Sequence, residues 1–496
     1  MRLRCFLQSF SIGGLLLLPA ASPALARTVN VSSVAQLQTA LASARAGDAI
    51  ELAPGTYDVK TNLTCSAAGT AEQPIVVRAQ SRLGARIRFD ASEGFKVSGP
   101  HWTFEGLDVE GVCASDSACE HAFHVTGRAH DFVLRESRVR DFNAQLKVNA
   151  SLIDGVWEIP HRGLVERSEL ADTRPRVTSN PVTKLNIDTG DGWVVRDNFL
   201  HDFHKNGGNA ISYGAFMKSG GREGVFERNL VLCTRDVATG GTRIGLSFGG
   251  GGTANAFCAP AFDAGVPCDP EHSGGVMRNN VIVNCSDVGI YLNRARSTQV
   301  LFNTLISTAG VDFRFASTSG EAHGNLLSSA IRARDSATFA AGTNRTQVSA
   351  ATFEGWYVAP LQGNLTLEGN VSSLLGAAGA HPQVTDDWCG RPRPASGPFT
   401  MGALEHSLGN CAGWPGEAGG GPGEADAGTG PGPDAGAGPG SDAGTGASAD
   451  AGGGEDAGAS DEPAQATGCG CTSTPGALST LGLAALMMIR RRRRVE

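Results

Sequence analysis

Several signatures that would settle a function are missing from this 496-residue chain. No Cys-x-x-Cys occurs among its 12 cysteines, which argues against a thiolate zinc site. No apolar run is long enough to span a bilayer as a helix. The stretch from Ala477 to Ile489 holds 13 residues, where a span needs about 20. Two-residue hairpin signals are few beside the apolar stretches, which counts against an antiparallel sandwich. Gly245-Leu-Ser-Phe-Gly249-Gly-Gly-Gly252-Thr253 is glycine-rich, but it has neither the Lys-Ser/Thr ending of a phosphate loop nor a following helix. Its glycines are expected to let the chain leave regular structure. Between Trp414 and residue 467 no large apolar residue appears. Residues 412–467, made of Gly, Ala, Pro, Asp and Ser, cannot bury a core and read as a flexible acidic linker. That linker supplies much of the net charge of −8, so the acidic balance says little about the folded part's ligand. No basic excess calls for nucleic acid.

What the chain does have is a repeat. Gly-Trp-Val-Val-Arg-Asp-Asn198-Phe-Leu, Gly-Val-Phe-Glu-Arg-Asn229-Leu-Val-Leu, Gly-Val-Met-Arg-Asn-Asn280-Val-Ile-Val and Thr-Gln-Val-Leu-Phe-Asn303-Thr-Leu-Ile follow one pattern, with a weaker copy at Asn325-Leu-Leu. The steps between these asparagines are 31, 51, 23 and 22 residues. Self-similarity at such steps marks a solenoid, and period-two alternation of Val, Ile, Leu and Phe marks its units as strands. The expected fold is all-β: a single-stranded right-handed parallel β-helix of about ten to twelve coils over residues 49–370. The recurring Asn is expected at a left-handed bend, stacking into an amide ladder. The 51-residue step predicts a further strand, Gly241 to Phe248, and an excursion carrying Cys258 and Cys268. Residues 345–410 lose the pattern and read as a C-terminal cap.

Residues 1–26 read as a secretory signal: Arg2 and Arg4, an apolar core from Ile12 to Leu18, then Ala24-Leu25-Ala26. Export lets cysteines pair. Cys113–Cys119, Cys258–Cys268 and Cys389–Cys411 are plausible local pairs. Cys233 and Cys285 either join coils or sit as buried apolar residues. Without Cys5 of the signal and Cys469 and Cys471 of the tail, the remaining number is odd, so one is left over. Val31 to Ala46 reads as an amphipathic capping helix with Ser32 or Ser33 at its start and Val34, Leu37 and Leu41 on one face.

The run Ser33-Val-Ala-Gln-Leu-Gln through Gly47-Asp48-Ala-Ile-Glu-Leu-Ala-Pro-Gly55-Thr56-Tyr57 resembles the N-terminal cap and first coil of pectin-lyase-like β-helix proteins. Among these it is most similar to the polysaccharide lyases of the alginate lyase and chondroitinase B family. At the other end, Gly468-Cys469-Gly-Cys471, the apolar run and Arg490 to Arg494 resemble the MYXO-CTERM sorting signal. That resemblance implies processing near the cysteines and lipid attachment, which would tether a monomeric folded domain (27–411) to the outer cell surface through segment 468–496.

The resemblance implies β-elimination on an acidic polysaccharide. That chemistry needs a cation to neutralise the uronate carboxylate, a base for the adjacent proton and a donor to the leaving oxygen. Polar residues crowd the stretch from Asn186 to Arg243. Family members carry a Lys-Ser where a strand turns, two Ca²⁺-binding glutamates earlier on that strand, and an arginine on the next coil. Ala215-Phe-Met-Lys218-Ser219 matches the Lys-Ser and implies Lys218 as base. The glutamate positions fall at about Ile211 and Tyr213, so the acidic pair is missing. Arg243 and Arg294 are rival counterparts of the arginine. If Ca²⁺ is used, Asp188 and Asp191 are its nearest carboxylates, with Asn206 and Asn209 close by. His272 is a candidate proton donor; Tyr213, Asn206, Asn209 and Arg222 are candidate substrate contacts. Two other readings stay open. One is a non-catalytic polysaccharide-binding or structural surface protein. The other is a hydrolase using paired carboxylates among Asp188, Asp191 and Asp202.

Overall fold

The repeat folds into three long, all-parallel sheets in this computed structural model, which describes residues 27–237 and 240–411. The expected signal, linker and sorting segment lie outside the described residues. Sheet 1 has twelve strands, from Thr28–Val31 to Ala340–Ala341; sheet 2 has ten, from Gly55–Val59 to Leu326–Leu327; sheet 3 has ten, from Leu63–Cys65 to Ile331–Arg334. One coil gives one strand to each sheet. Trp102–Glu105, Asp108–Gly111 and His121–Thr126 make such a coil, and the chain then returns to pair Val133 with Thr103 in parallel. This is the parallel β-helix that the repeat predicts. Inward side chains fill the coils: Phe104 lies 4.9 Å from Phe95 and 5.0 Å from Phe123, ring centre to ring centre. Each such buried ring contributes about 1.5–3 kcal/mol.

The asparagine column stands between sheets 1 and 2, and its role differs from the expected one. The left-handed residue is the one before each Asn: Asp197, Arg228, Asn279 and Phe302, with φ of 57°, 54°, 54° and 51°. The Asn itself satisfies buried backbone. Asn229 Nδ2 donates to Asn280 Oδ1 at 2.9 Å and to the Val195 carbonyl at 2.9 Å, while its backbone N–H donates to the same Asn280 oxygen at 3.1 Å. The pattern repeats at Asn280, Asn303 and Asn325 and ends on Asn344. Every amide group in the column is used, which is what a fully buried polar side chain requires.

The capping helix is shorter than expected, Val34–Ala42, because Thr28–Val31 forms an edge strand of sheet 1. Ser33, not Ser32, caps it through the Gln36 N–H, and Leu37, Ala40 and Leu41 are buried.

Only the start of residues 345–410 covers the far end: Arg345 and Val348 bond to the last strand of sheet 2, Leu326–Leu327. The rest folds back along the outer face of sheet 2, where Trp356, Tyr357, Leu374, Trp388, Phe399 and Met401 pack on Leu230, Leu232, Val281, Val283 and Ile306. That is why Leu230-Val-Leu232 and Val281-Ile-Val283 are apolar throughout: both faces of these strands are covered.

Cys113–Cys119, Cys258–Cys268 and Cys389–Cys411 are paired, and Cys233–Cys285 joins neighbouring coils. The odd cysteine is Cys65, buried in the core.

Candidate functional site

Sheet 3 carries the candidate residues; its strands are the longest and their ends open into excursions. Register sets Asp188 beside Asn149 on one side and Lys218 on the other. One step back along the strands, Lys147, Asn186 and Phe216 form the adjacent row. Two excursions leave the strand ends on either side of this patch: the hairpin Ser151–Ile153/Val156–Glu158, and the loop from Gly249 to Glu271. They meet where the Trp157 and Phe262 rings stack at 4.4 Å. Gly249, Gly250, Gly251 and Gly252 all have positive φ, and a Cβ at Gly249 would sit 1.8 Å from the Asn293 carbonyl oxygen. The glycine run is the exit from the coil, as expected.

Beneath that exit lies a linked set of ionised groups. Lys147 Nζ donates to Asp188 Oδ2 at 2.9 Å and to Asn186 Oδ1 at 3.1 Å. Lys218 Nζ stands 3.7 Å from Asp188 Oδ1, donates to the Gly251 carbonyl at 3.4 Å and lies 5.0 Å from the Phe216 ring centre. Ser219 donates its hydroxyl to Asp188 Oδ1 and is 3.3 Å from the Thr253 hydroxyl, which donates to Glu271 Oε2 at 3.0 Å. The Gly250 N–H also donates to Glu271, and Arg294 stands 3.9 Å from its other oxygen. Lys218 is only 5 % exposed.

Burial alone would raise the pKa of Asp188, but the Lys218 and Lys147 ammonium groups and the Ser219 hydroxyl hold it well below the usual carboxylate range. Burial raises Glu271, and Lys218, the Gly250 N–H and Thr253 offset only part of that. Burial is also the main cause of the lowered Lys147 pKa, which Asp188 partly restores. Lys147 and Glu271 are additions to the sequence-predicted set. Strand register brings Lys147 to Asp188, and the loop after Gly249 brings Glu271; both lie more than 50 residues from Lys218 in sequence.

A cleft of about 470 Å³ opens beside this network, lined among others by Thr183, Lys205, Asn209, Tyr213, Phe216 and Gly251. Tyr213 and Asn209 therefore fall where a ligand contact was expected. Burial pushes the Tyr213 hydroxyl up, and Asn209 Oδ1 accepts from Lys205 Nζ at 2.9 Å. Phe216 and Gly251 are shared between the cleft and the surroundings of Lys218.

Its structural neighbours are polysaccharide lyases. No family model and no curated protein matches the chain. Among solved structures, pectate lyase Pel9A is similar at 14% identity over 77% of this chain and 97% of its own, with a TM-score of 0.49. An alginate lyase from Paenibacillus sp. str. FPU-7 is 17% identical over 65% of this chain and 99% of its own, at TM-score 0.31. A rhamnogalacturonan lyase is 13% identical over 73% of this chain and 89% of its own, at TM-score 0.40. At such identities and scores, the fold is read from this chain's own strand register.

The remaining candidates divide by position. Arg294 belongs to the network, just past the end of Ile290–Asn293, the second strand beyond that of Lys218, about 10 Å away by strand spacing. Arg243 does not: it aligns with Ser212 at the other end of the strand, about 20 Å from Lys218. There its guanidinium meets His204 Nδ1 at 3.1 Å. His272 is no proton donor to the cleft. It is 1 % exposed and stacks on Phe248 at 4.2 Å inside the coil, and burial lowers it to about 3. Strand alternation explains this, since Glu271 and His272 point to opposite sides.

Asp188 and Asp191 do not make a calcium site. Asp188 is held by two ammonium groups, and Asp191 pairs with the exposed Arg222 at 2.7 Å. A hard cation needs converging oxygens, and the donor set here is cationic. Arg222 lies in the small sheet Gly221–Arg222/His272–Ser273/Ala295–Arg296, away from the cleft lining. Asn206 is exposed and only its backbone N–H is bound, to the Arg176 carbonyl at 2.8 Å. Asp202 organises a turn, accepting the N–H groups of Arg235, Asp236 and Val237.

Proposed function

We propose that the chain is a lyase that cleaves a uronate polysaccharide lying across the strands of sheet 3. The observation that carries the reading is Lys218-Ser219 at the end of its strand, bordering the cleft through Phe216 and Gly251, with Arg294 two strands further on. In this reading Lys218 takes the proton beside the sugar carboxylate. Lys147 and Arg294 supply the positive charge that makes that proton acidic, in the place a metal ion holds in other designs. Lys218 then returns that proton to the leaving oxygen, and Tyr213, about 16 Å along the strand, contacts the chain from the cleft. Lys205 in the cleft lining and the cationic strip beside it suit an acidic chain better than a neutral one. Export and a surface tether are part of the same proposal, supported by residues 1–26, the tail from Gly468 and four cysteine pairs in the described domain.

One contact favours a second reading, binding without cleavage. Lys218 Nζ stands 3.7 Å from the Asp188 carboxylate, so the group that the lyase reading uses as base is held by an ion pair. An ultraviolet assay for unsaturated uronate separates the two, with alginate, pectate, chondroitin and dermatan each tried with Ca²⁺ and with chelator. The lyase reading expects a rising signal on one of these, unaffected by chelator and lost at least a hundredfold in Lys218→Ala. Binding of one polymer with no signal on any would establish the second reading.

A further inference from the structure

A separate cluster lies on the first coils of sheet 3. Glu93 of strand Glu93–Val97 is in register with His121 of strand His121–Thr126, and Lys96 with His124. Residues three apart on a regular strand face opposite ways. Here Ala122 and Phe123 are both buried in the core, so alternation breaks and His121 and His124 share the outer face, in step with Glu93 and Lys96 on the neighbouring strand. Ala144 is the next neighbour of His121 in the sheet.

The three side chains converge. Glu93 Oε1 is 2.6 Å from His124 Nδ1 and 3.9 Å from His121 Nδ1, and one ligating atom from each residue lies within 4.8 Å of the others. The protein alone leaves this cluster unsatisfied. His121 Nδ1 is cut off from solvent and has no hydrogen-bond partner. His124 faces an acceptor oxygen at both nitrogens: Glu93 at Nδ1 and Asn149 Oδ1 at Nε2, 3.2 Å away. A neutral imidazole has one N–H to offer. A cation at Nδ1 resolves both faults, with Asn149 fixing the ring from behind as outer partners of metal-bound histidines do. Lys96 stands 3.4 Å from the other Glu93 oxygen, so Oε1 is the one turned to the histidines.

We propose that Glu93, His121 and His124 bind a divalent transition ion of the Zn²⁺ class. Two imidazoles and one carboxylate select such ions over Ca²⁺ and Mg²⁺. Ligand bonds of about 2.0–2.2 Å put tetrahedral ligand atoms about 3.3–3.6 Å apart, inside the spread seen here. Three protein ligands leave one position for water or a sugar oxygen. The site lies one strand from the Lys218 network, with His124 in register with Lys147, and does not depend on the lyase reading.

The test is metal binding by the full chain, stripped with chelator and dialysed against Zn²⁺ or Co²⁺. We expect one Zn²⁺ per chain that withstands excess Ca²⁺, a visible Co²⁺ absorption band, and a Zn²⁺-dependent rise in Tm. His124→Ala and Glu93→Gln should each weaken binding more than tenfold, and Glu93→Gln keeps the size and polarity of the native residue. Substoichiometric binding by the wild-type chain overturns the site. So does binding that survives both substitutions, as zinc held by Cys469 and Cys471 would, and so does displacement by equimolar Ca²⁺.

Discussion

At the scale of single residues the fold depends on side chains that complete buried backbone. Asn280 accepts from both the N–H and the amide of Asn229, and donates to the Phe226 carbonyl and to Asn303. Asn280→Ala strands these partners where no water reaches. With about 1–3 kcal/mol for each buried group left unpaired, a loss of about 3 kcal/mol is expected in guanidinium unfolding. A loss under about 1 kcal/mol would show that the column is decoration. His272 gives a pH test. Its folded value of about 3 lies below the unfolded value of about 6.5. Below pH 6.5 the unfolded chain takes a proton that the native chain refuses, so stability falls as pH drops and stops falling near pH 3. His272→Phe, which keeps the stack on Phe248, removes this term. Between pH 7 and pH 5 the variant should lose about 2 kcal/mol less stability than the wild type; parallel pH profiles would rule the explanation out.

At the scale of elements, the loop that leaves sheet 3 after Phe248 decides how the site is closed. It brings the Gly251 carbonyl to Lys218 and ends at Glu271, and Cys258–Cys268 staples its middle. A disulfide closing so short a loop constrains it by about 3 kcal/mol, and that constraint is local. Replacing both cysteines by serine should leave the Tm of the coils within a few degrees and make residues 250–270 the first site of limited proteolysis. Polysaccharide binding should weaken in step; unchanged binding would show that the loop does not shape the cleft. The coils were legible in the sequence because alternation and a recurring Asn are local signals. The left-handed position was misplaced by one residue, since Asp197, Arg228 and Phe302 share no side-chain chemistry that marks it. Lys218 was legible as a Lys-Ser at a strand end. Lys147 and Glu271 were not, because their approach to Asp188 and Ser219 exists only after excursions of unknown length are closed and the register is set. His121-x-x-His124 was passed over for a related reason: on a strand the spacing means opposite faces, unless alternation breaks between them, as it does at Ala122 and Phe123.

At the scale of the whole described domain, stacked coils and a lateral strap make different demands. A solenoid's coils touch only their neighbours, so stability sums along the axis and ends can open without the middle. The segment after residue 345 breaks that rule by binding several coils at once. Arg228 pairs with Asp386 at 2.6 Å, Asn279 donates to the Asp386 carbonyl at 2.9 Å, Asn284 donates to the Leu361 carbonyl at 2.8 Å, and the Ala403 N–H donates to Thr304 at 2.9 Å. Trp388, fully buried, anchors the apolar contact with sheet 2. Trp388→Ala should cost about 3–5 kcal/mol at the strap. Because the strap spans the coils from Phe199 to Leu326, hydrogen exchange should quicken there as one block, Leu230–Leu232, Val281–Val283 and Thr304–Ile306 together. The strands from Ile75–Ala79 to Ala144–Asn149 have no strap residue in their core cluster and should keep their protection. Uniform loss along the whole helix would mean that the coils already unfold as one unit, and that the strap adds stability without adding cooperativity.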